Sequence, residues 1–183
     1  MVYEAELLAD EVGLSRLTLT ALADRLGVRQ PSLYKHVDGM EGLQRNIAVR
    51  AKTELADVLG RAAVGRARDD AIEAMSQAYR RWAKEHPGRY VATLRAPTKN
   101  DVEDDAASRA VASVVFEVLV GYNLCDDDAI DATRTLRSAL HGFVTLETGG
   151  GFGLPVDIDR SFDRLIRGIT IALANWADQI STP

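Results

Sequence analysis

The chain has 183 residues, 46% of them hydrophobic and 27% charged, with a net charge of −5. This is enough apolar matter for a core, but no apolar run approaches the ~20 residues of a transmembrane helix. The acidic, amphipathic stretch from Met1 to Asp10 lacks the basic and apolar regions of a signal peptide. The single cysteine, Cys125, excludes an internal disulfide and argues against a zinc site, so a reducing cytoplasm is the expected setting.

Apolar spacing predicts helices throughout. Leu7, Leu8 and Val12 form a first stripe, stopped by Gly13. Thr18 is placed to cap a short helix over Leu19–Leu26, which Gly27 ends. Pro31 suits the first turn of another short helix running to His36, and Asp38-Gly39 breaks it. A long helix from about Met40 to Leu59 carries Leu43, Ile47, Ala51, Leu55 and Leu59, with a connector expected from Gly60 to Arg68. Ile72, Met75, Tyr79 and Trp82 mark a helix from about Asp69 to Glu85, ended by His86-Pro87-Gly88. A short helix follows from Tyr90 to Arg95, then one from about Asp101 to Val120. Asp126-Asp127-Asp128 opens the next helix at its positive dipole end, and that helix runs to about Thr148. Gly149 to Gly153, with Pro155, reads as a flexible loop. The last helix, from about Asp159 to Gln179, carries Phe162, Leu165, Ile166, Ile169, Leu173, Trp176 and Ile180. The expectation is an all-α chain of nine helices.

The charge is unevenly spread. Met1 to Lys52 holds seven Lys/Arg against seven Asp/Glu, and Thr53 to Pro183 holds fifteen against twenty. Within Arg29–Lys52, five basic residues (Arg29, Lys35, Arg45, Arg50, Lys52) face two acids, Asp38 and Glu41. A locally basic segment on an acidic body attracts phosphate at short range; a solvated surface with accidental asymmetry has the same composition.

Thr18 to Val37 is the most informative stretch. Two helices of under ten residues meet at Gly27, and neither is stable alone in water. Leu22, Ala23, Leu26, Val28, Leu33 and Val37 are expected to interlock behind the turn, with the small Ala23 permitting close approach. This is a helix-turn-helix pattern, whose second helix enters a major groove. Gln30 suits adenine N6 and N7, Pro31, Ser32 and Tyr34 suit thymine methyls or base edges, and Lys35 suits a guanine edge or a phosphate. Thr18, Tyr34 and His36 can donate to phosphate oxygens, and Arg29 adds charge at the helix entrance. Thr20 completes the expected DNA-binding set.

The segment Leu17-Thr18-Leu19-Thr20-Ala21-Leu22-Ala23-Asp24-Arg25-Leu26-Gly27-Val28-Arg29-Gln30-Pro31-Ser32-Leu33-Tyr34-Lys35-His36-Val37 resembles the DNA-binding signature of the TetR family of bacterial regulators, over roughly residues 3 to 50. The resemblance implies an all-helical fold: a three-helix DNA-binding domain over residues 1–45 and a helical ligand-binding and dimerisation domain over 46–183. It also implies a homodimer built mainly from the last two long helices, a small-molecule effector, and repression at a near-palindromic DNA operator. Three departures stand out. Met40 replaces a phosphate-binding lysine, Val37 replaces an aromatic residue, and the arm before the first helix is short. They leave one alternative, a helical ligand-binding or adaptor protein with weakened or lost DNA binding.

The C-terminal half is less informative. His141-Gly142-Phe143 resembles the His-Gly segment of a TetR subgroup, with Gly142 read as a close helix crossing or a cavity wall. Tyr79, Trp82, Leu94, Phe116, Tyr122, Leu140 and His141 are the expected ligand-pocket residues, since ligand sites are largely apolar with a few polar groups. Phe143, Phe162, Ile166, Ile169, Leu173 and Trp176 are the expected dimer residues, with packing into their own subunit as the alternative. The chain shows no Gly-x-Ser-x-Gly elbow, no His-Glu-x-x-His and no P-loop, and His36, His86 and His141 are far apart. Neither catalysis, a metal nor a cofactor is expected.

Overall fold

Every regular element in the residues that the computed structural model describes, 1–176, is helical. The elements are α1 (Val2–Val12), α2 (Leu19–Leu26), a 3-10 helix (Gln30–Lys35), α3 (Gly39–Ala63), α4 (Arg68–Glu85), α5 (Pro87–Thr93), α6 (Val102–Leu119), α7 (Asp126–Thr148) and α8 (Ile158–Ala174). Single 3-10 turns at Leu14–Arg16 and Val120–Tyr122 join them. The all-α, nine-helix layout is therefore present. The expected ends at Gln179 and Ile180 lie outside the described residues.

Two boundaries differ from expectation. α3 continues through Gly60 to Ala63, because packing along a long helix outweighs the cost of one glycine, about 1 kcal/mol. Pro87 both follows the end of α4 and opens α5, where its missing N–H costs nothing.

The chain packs into two units. The first comprises residues 1–56 and 85–111, the second residues 57–84 and 112 onward. In the first unit Ala5, Leu8, Ala9, Leu19, Leu22, Leu33, Leu43 and Ile47 form one core, which Ala92 of α5 joins. Ion pairs surround it. Arg89 binds Asp10 (Nε–Oδ2 2.7 Å) and Glu54 (Nη1–Oε2 2.7 Å), and Arg50 binds Glu6 at 2.7 Å. Arg45 holds Asp101 at 2.6 Å and Glu103 at 2.7 Å, and Lys52 meets Asp104 at 2.5 Å.

In the second unit the predicted stripes do face inward. Ile72, Met75, Tyr79 and Trp82 of α4 are buried, as are Leu136, Leu140 and Val144 of α7. Phe162, Ile166, Ile169 and Leu173 of α8 complete that interior. One cation sits among them. Arg80 donates from Nε and Nη2 to the two carboxylate oxygens of Glu147, both at 2.7 Å, and Nη2 also meets Asp159 at 2.7 Å. Its guanidinium lies 4.8 Å from the Phe162 ring centroid and 5.7 Å from that of Phe143, which offsets its burial by cation–π attraction.

These pairs make the fold acid-sensitive. Hydrogen bonding from Arg80, then from Lys84, holds Glu147 below the usual carboxylate range. Arg45, with the Asp104 N–H, does the same for Asp101. A depressed folded-state pKa contributes stability that is complete above the unfolded value, about 4, and is lost as pH falls through the folded value. Urea midpoints should therefore hold steady from neutral pH to about 5 and fall below about 4. Glu147→Gln should flatten that acid limb; an unchanged limb would show that Glu147 carries no such linkage.

Candidate nucleic-acid interface

The functional candidate is built on α2. Thr18 caps it, its Oγ1 accepting from the Ala21 N–H at 3.1 Å. Gly27 ends it in the left-handed conformation (φ 65°, ψ 28°), which a β-carbon disfavours. There the Val28 N–H donates back to the Ala23 carbonyl at 3.0 Å, closing the helix end. The chain reverses, and Leu33 and Val37 bury beside Leu22 and Ala23. Leu26 is only half-buried, and Val28 departs from expectation at 43% exposed, since the turn carries it outward.

The second helix of the pair is a 3-10 segment. Ser32 N–H donates to the Arg29 carbonyl and His36 N–H to the Leu33 carbonyl, both at 2.9 Å. Six residues that include a proline cannot repay α-helix nucleation, so the tighter i→i+3 pattern serves. Leu33 anchors it, while Arg29, Pro31, Ser32, Tyr34, Lys35 and His36 are exposed, Tyr34 at 57%. Thr18, which precedes α2, and Thr20, within it, are exposed, and Gln30 is half-buried. The structure thus brings all nine expected DNA-binding residues to one short stretch of surface or its edge. It adds a link that the sequence did not reveal: the Thr20 hydroxyl donates to Gln30 Oε1 at 3.3 Å.

The basic segment is less available than its composition implies. Arg45, Arg50 and Lys52 are engaged with acids of the first unit. Arg25 of α2 is likewise engaged with Glu4 and Glu11 of α1. Arg29 and Lys35 remain as exposed cations on the turn and the 3-10 segment. Met40 packs partly buried against the core.

Comparisons with known proteins point the same way. Residues 72–169, more than half of the chain, match the model of the tetracyclin repressor-like C-terminal domain. An uncharacterised HTH-type transcriptional regulator of Mycobacterium tuberculosis is 43% identical over 86% of this chain and 72% of its own length. The chain belongs to the TetR family of transcriptional regulators. A second relative, the HTH-type transcriptional regulator YobS of Bacillus subtilis, is 35% identical over 87% of this chain and 83% of its own. Among solved structures, a TetR-family chain from Streptomyces coelicolor superimposes with a TM-score of 0.73 at 19% identity, covering 94% of this chain and 96% of that one. A TetR variant from Acinetobacter baumannii in complex with minocycline gives 0.69 at 21% identity, covering 99% and 96%. At such identities these two structures speak for the TetR fold alone.

In this TetR-family chain the expected pocket residues fall in both units. Tyr79, Trp82, Tyr122 and Leu140 are buried in the second unit, and Phe116 and His141 are half-buried there. Leu94 belongs to the first unit and is 37% exposed, because α5 packs there through Ala92. Tyr122 is held at the start of α4, its hydroxyl 2.5 Å from Asp69 Oδ1 and Arg68 over its ring. At ~1.5 Å rise per residue, Asp69 lies roughly 20 Å along α4 from Trp82. Tyr122 therefore serves the opposite end of that helix. Burial pushes its hydroxyl pKa up, with the Asp69 hydrogen bond adding to the effect. Gly142 is not a close crossing, since a β-carbon there would meet nothing within 4 Å.

The expected dimer residues divide in the same way. Phe162, Ile166, Ile169 and Leu173 are buried within their own unit, where α8 packs on α7 and Phe162 lies under Arg80 of α4. Phe143 packs on Phe152 and Phe162, with centroids 4.9 and 5.0 Å away. Trp176 is half-buried, its indole N–H 3.3 Å from Asp128 Oδ1. The adjoining face is the open one. Leu165, Gly168, Ala172 and Trp176, with Thr135 and Arg164, line an apolar groove of about 300 Å³ that the edges of Ile169 and Leu173 floor. The i, i+3, i+7, i+11 spacing of Leu165, Gly168, Ala172 and Trp176 was readable in sequence, but the longer stripe beside it masked the signal.

Proposed function

We propose that this regulator is a cytoplasmic, homodimeric repressor that leaves a near-palindromic operator when a small molecule binds its C-terminal domain. DNA binding is assigned to residues 1–45, and effector binding and dimerisation to residues 46–183. One observation carries the reading. A helix too short to stand alone is anchored by Leu33 and Val37, yet turns Pro31, Ser32, Tyr34, Lys35 and His36 to solvent. Such a surface adds nothing to the core and suits a groove edge. Thr18 keeps a free O–H for a phosphate while its oxygen caps α2.

The dimer is assigned to α7 and α8, with a second copy covering the groove at Leu165, Gly168, Ala172 and Trp176. A two-fold axis there would present two recognition segments to one duplex. A small-molecule effector is supported by the neighbour of like fold that is a complex with minocycline. Tyr79, Trp82, Leu140, His141 and Phe116 are retained as its candidate contacts. Effector binding acts on α3, which contributes residues to both units, and the coupling is worth at most the effector's preference between the two states, typically 1–3 kcal/mol.

The test uses DNA from upstream of the chain's own gene. Binding should weaken steeply with salt as displaced counterions lose their advantage. Tyr34→Ala and Lys35→Ala should each lower affinity by about 1–3 kcal/mol where the side chain reads a base edge. Salt-insensitive or absent binding would favour the adaptor alternative.

A further inference from the structure

Thr20 lies exposed in the first turn of α2, and Gln30 opens the 3-10 segment ten residues later. Their side chains meet across the turn, with Thr20 Oγ1 donating to Gln30 Oε1 at 3.3 Å. Threonine is stiff about its first side-chain bond, and α2 holds its backbone. Glutamine has several free torsions and an amide whose two ends exchange on half a rotation. The contact joins a rigid donor to an adaptable reader.

We propose that Thr20 is a positioning residue for sequence readout: its hydroxyl fixes the Gln30 amide in the orientation that selects adenine. This rests on the operator-binding reading above and names the base class read at one position. With Thr20 occupying one lone pair, Oε1 keeps a second for an incoming N–H, and Nε2 keeps both donors. Adenine offers the complement in the major groove, an N6 donor beside an N7 acceptor. Guanine offers two acceptors, N7 and O6, so a fixed Oε1 faces O6 in repulsion. An unfixed amide turns its Nε2 toward guanine O6 or N7, or thymine O4, and discriminates less. Thr20 thus acts through Gln30, in contrast to a hydroxyl that binds phosphate and contributes equally on every sequence.

The experiment selects from a pool of DNA duplexes with a randomised centre, using the full chain as wild type, Thr20→Val, Thr20→Ala, Thr20→Ser and Gln30→Ala. The wild type should enrich a two-fold motif with adenine at one position of each half-site. Gln30→Ala should lose the preference at that position only. Thr20→Val and Thr20→Ala should lose discrimination at the same position by about fivefold or more, and Thr20→Ser, which keeps the hydroxyl, should restore it. Thr20 is exposed, so thermal unfolding should show both apolar variants folded, each serving as a check on the other. An unchanged adenine preference in Thr20→Val and Thr20→Ala overturns the proposal. So does a uniform loss of affinity on all duplexes, which marks a phosphate contact. A wild-type pool with no enriched motif overturns the operator reading itself, and this inference with it.

Discussion

Gly88→Ala should destabilise the protein by about 3 kcal/mol, at the upper end of what overpacking usually costs. Gly88 is buried at the start of α5, where that helix crosses the C-terminal turn of α1. A β-carbon at Gly88 would overlap the carbonyl carbon and oxygen of Ala9 and lie 2.7 Å from the Asp10 nitrogen. These are backbone atoms, so no rotamer change relieves the overlap. Nor can α5 easily slide away, because Asp10 accepts both the Arg89 N–H at 2.9 Å and Arg89 Nε at 2.7 Å. For a chain of this size the penalty corresponds to a melting temperature lower by roughly 6–12 °C. Gly142→Ala is the matched control: its site is helical and open, so it should be neutral or gain up to about 1 kcal/mol from helix propensity. Equal melting temperatures for Gly88→Ala and the wild type would show that α5 does not press on α1 as described.

Lys52→Met should cost about 3–5 kcal/mol, the usual result of stranding one member of a buried ion pair. Lys52 is 3% exposed and Asp104 fully buried, with Nζ 2.5 Å from Asp104 Oδ1 and 2.8 Å from the Arg95 carbonyl. Asp104 Oδ2 has no hydrogen-bond partner, so the pair is incompletely repaid for its desolvation. The double change Lys52→Met with Asp104→Leu should therefore recover most of the loss, since apolar groups of similar volume often replace a buried pair at no cost. Urea unfolding of the single and double variants reads both effects. A single variant as stable as the wild type would remove the pair from the account of stability.

The helices were legible in the sequence because burial on one side imposes a period near 3.6 residues, as the stripe Phe162, Ile166, Ile169 and Leu173 shows. The exposed polar surface of the helix-turn-helix was legible for a related reason. Thr18, Gly27 and Pro31 are local conformational instructions, and the polar side chains between the anchors Leu33 and Val37 had nowhere else to go. Val28 escaped the reading because an apolar residue directly after a left-handed glycine has no periodicity to declare its direction. Of the two alternatives for Gly142, the open space around it removes the close crossing, whereas Gly88, read only as part of a helix stop, is the glycine whose β-carbon would press on the Ala9 carbonyl. Composition treats both glycines alike, and only the neighbour across the gap separates them.

Local sequence by itself determined what could be decided within a few turns of chain: the helix-turn-helix segment, its caps and its exposed polar row. Tertiary structure decided which charges pair, removing Arg45, Arg50 and Lys52 from the basic segment. It also packed Phe162, Ile166, Ile169 and Leu173 into their own unit, the alternative to a dimer role, and joined Thr20 to Gln30. The physical reason is range. A cap or a turn is a contact between near neighbours, and its chemistry can be read from adjacent letters. An ion pair such as Arg45–Asp101 joins residues distant in the chain, and its partner is chosen only when the helices have packed.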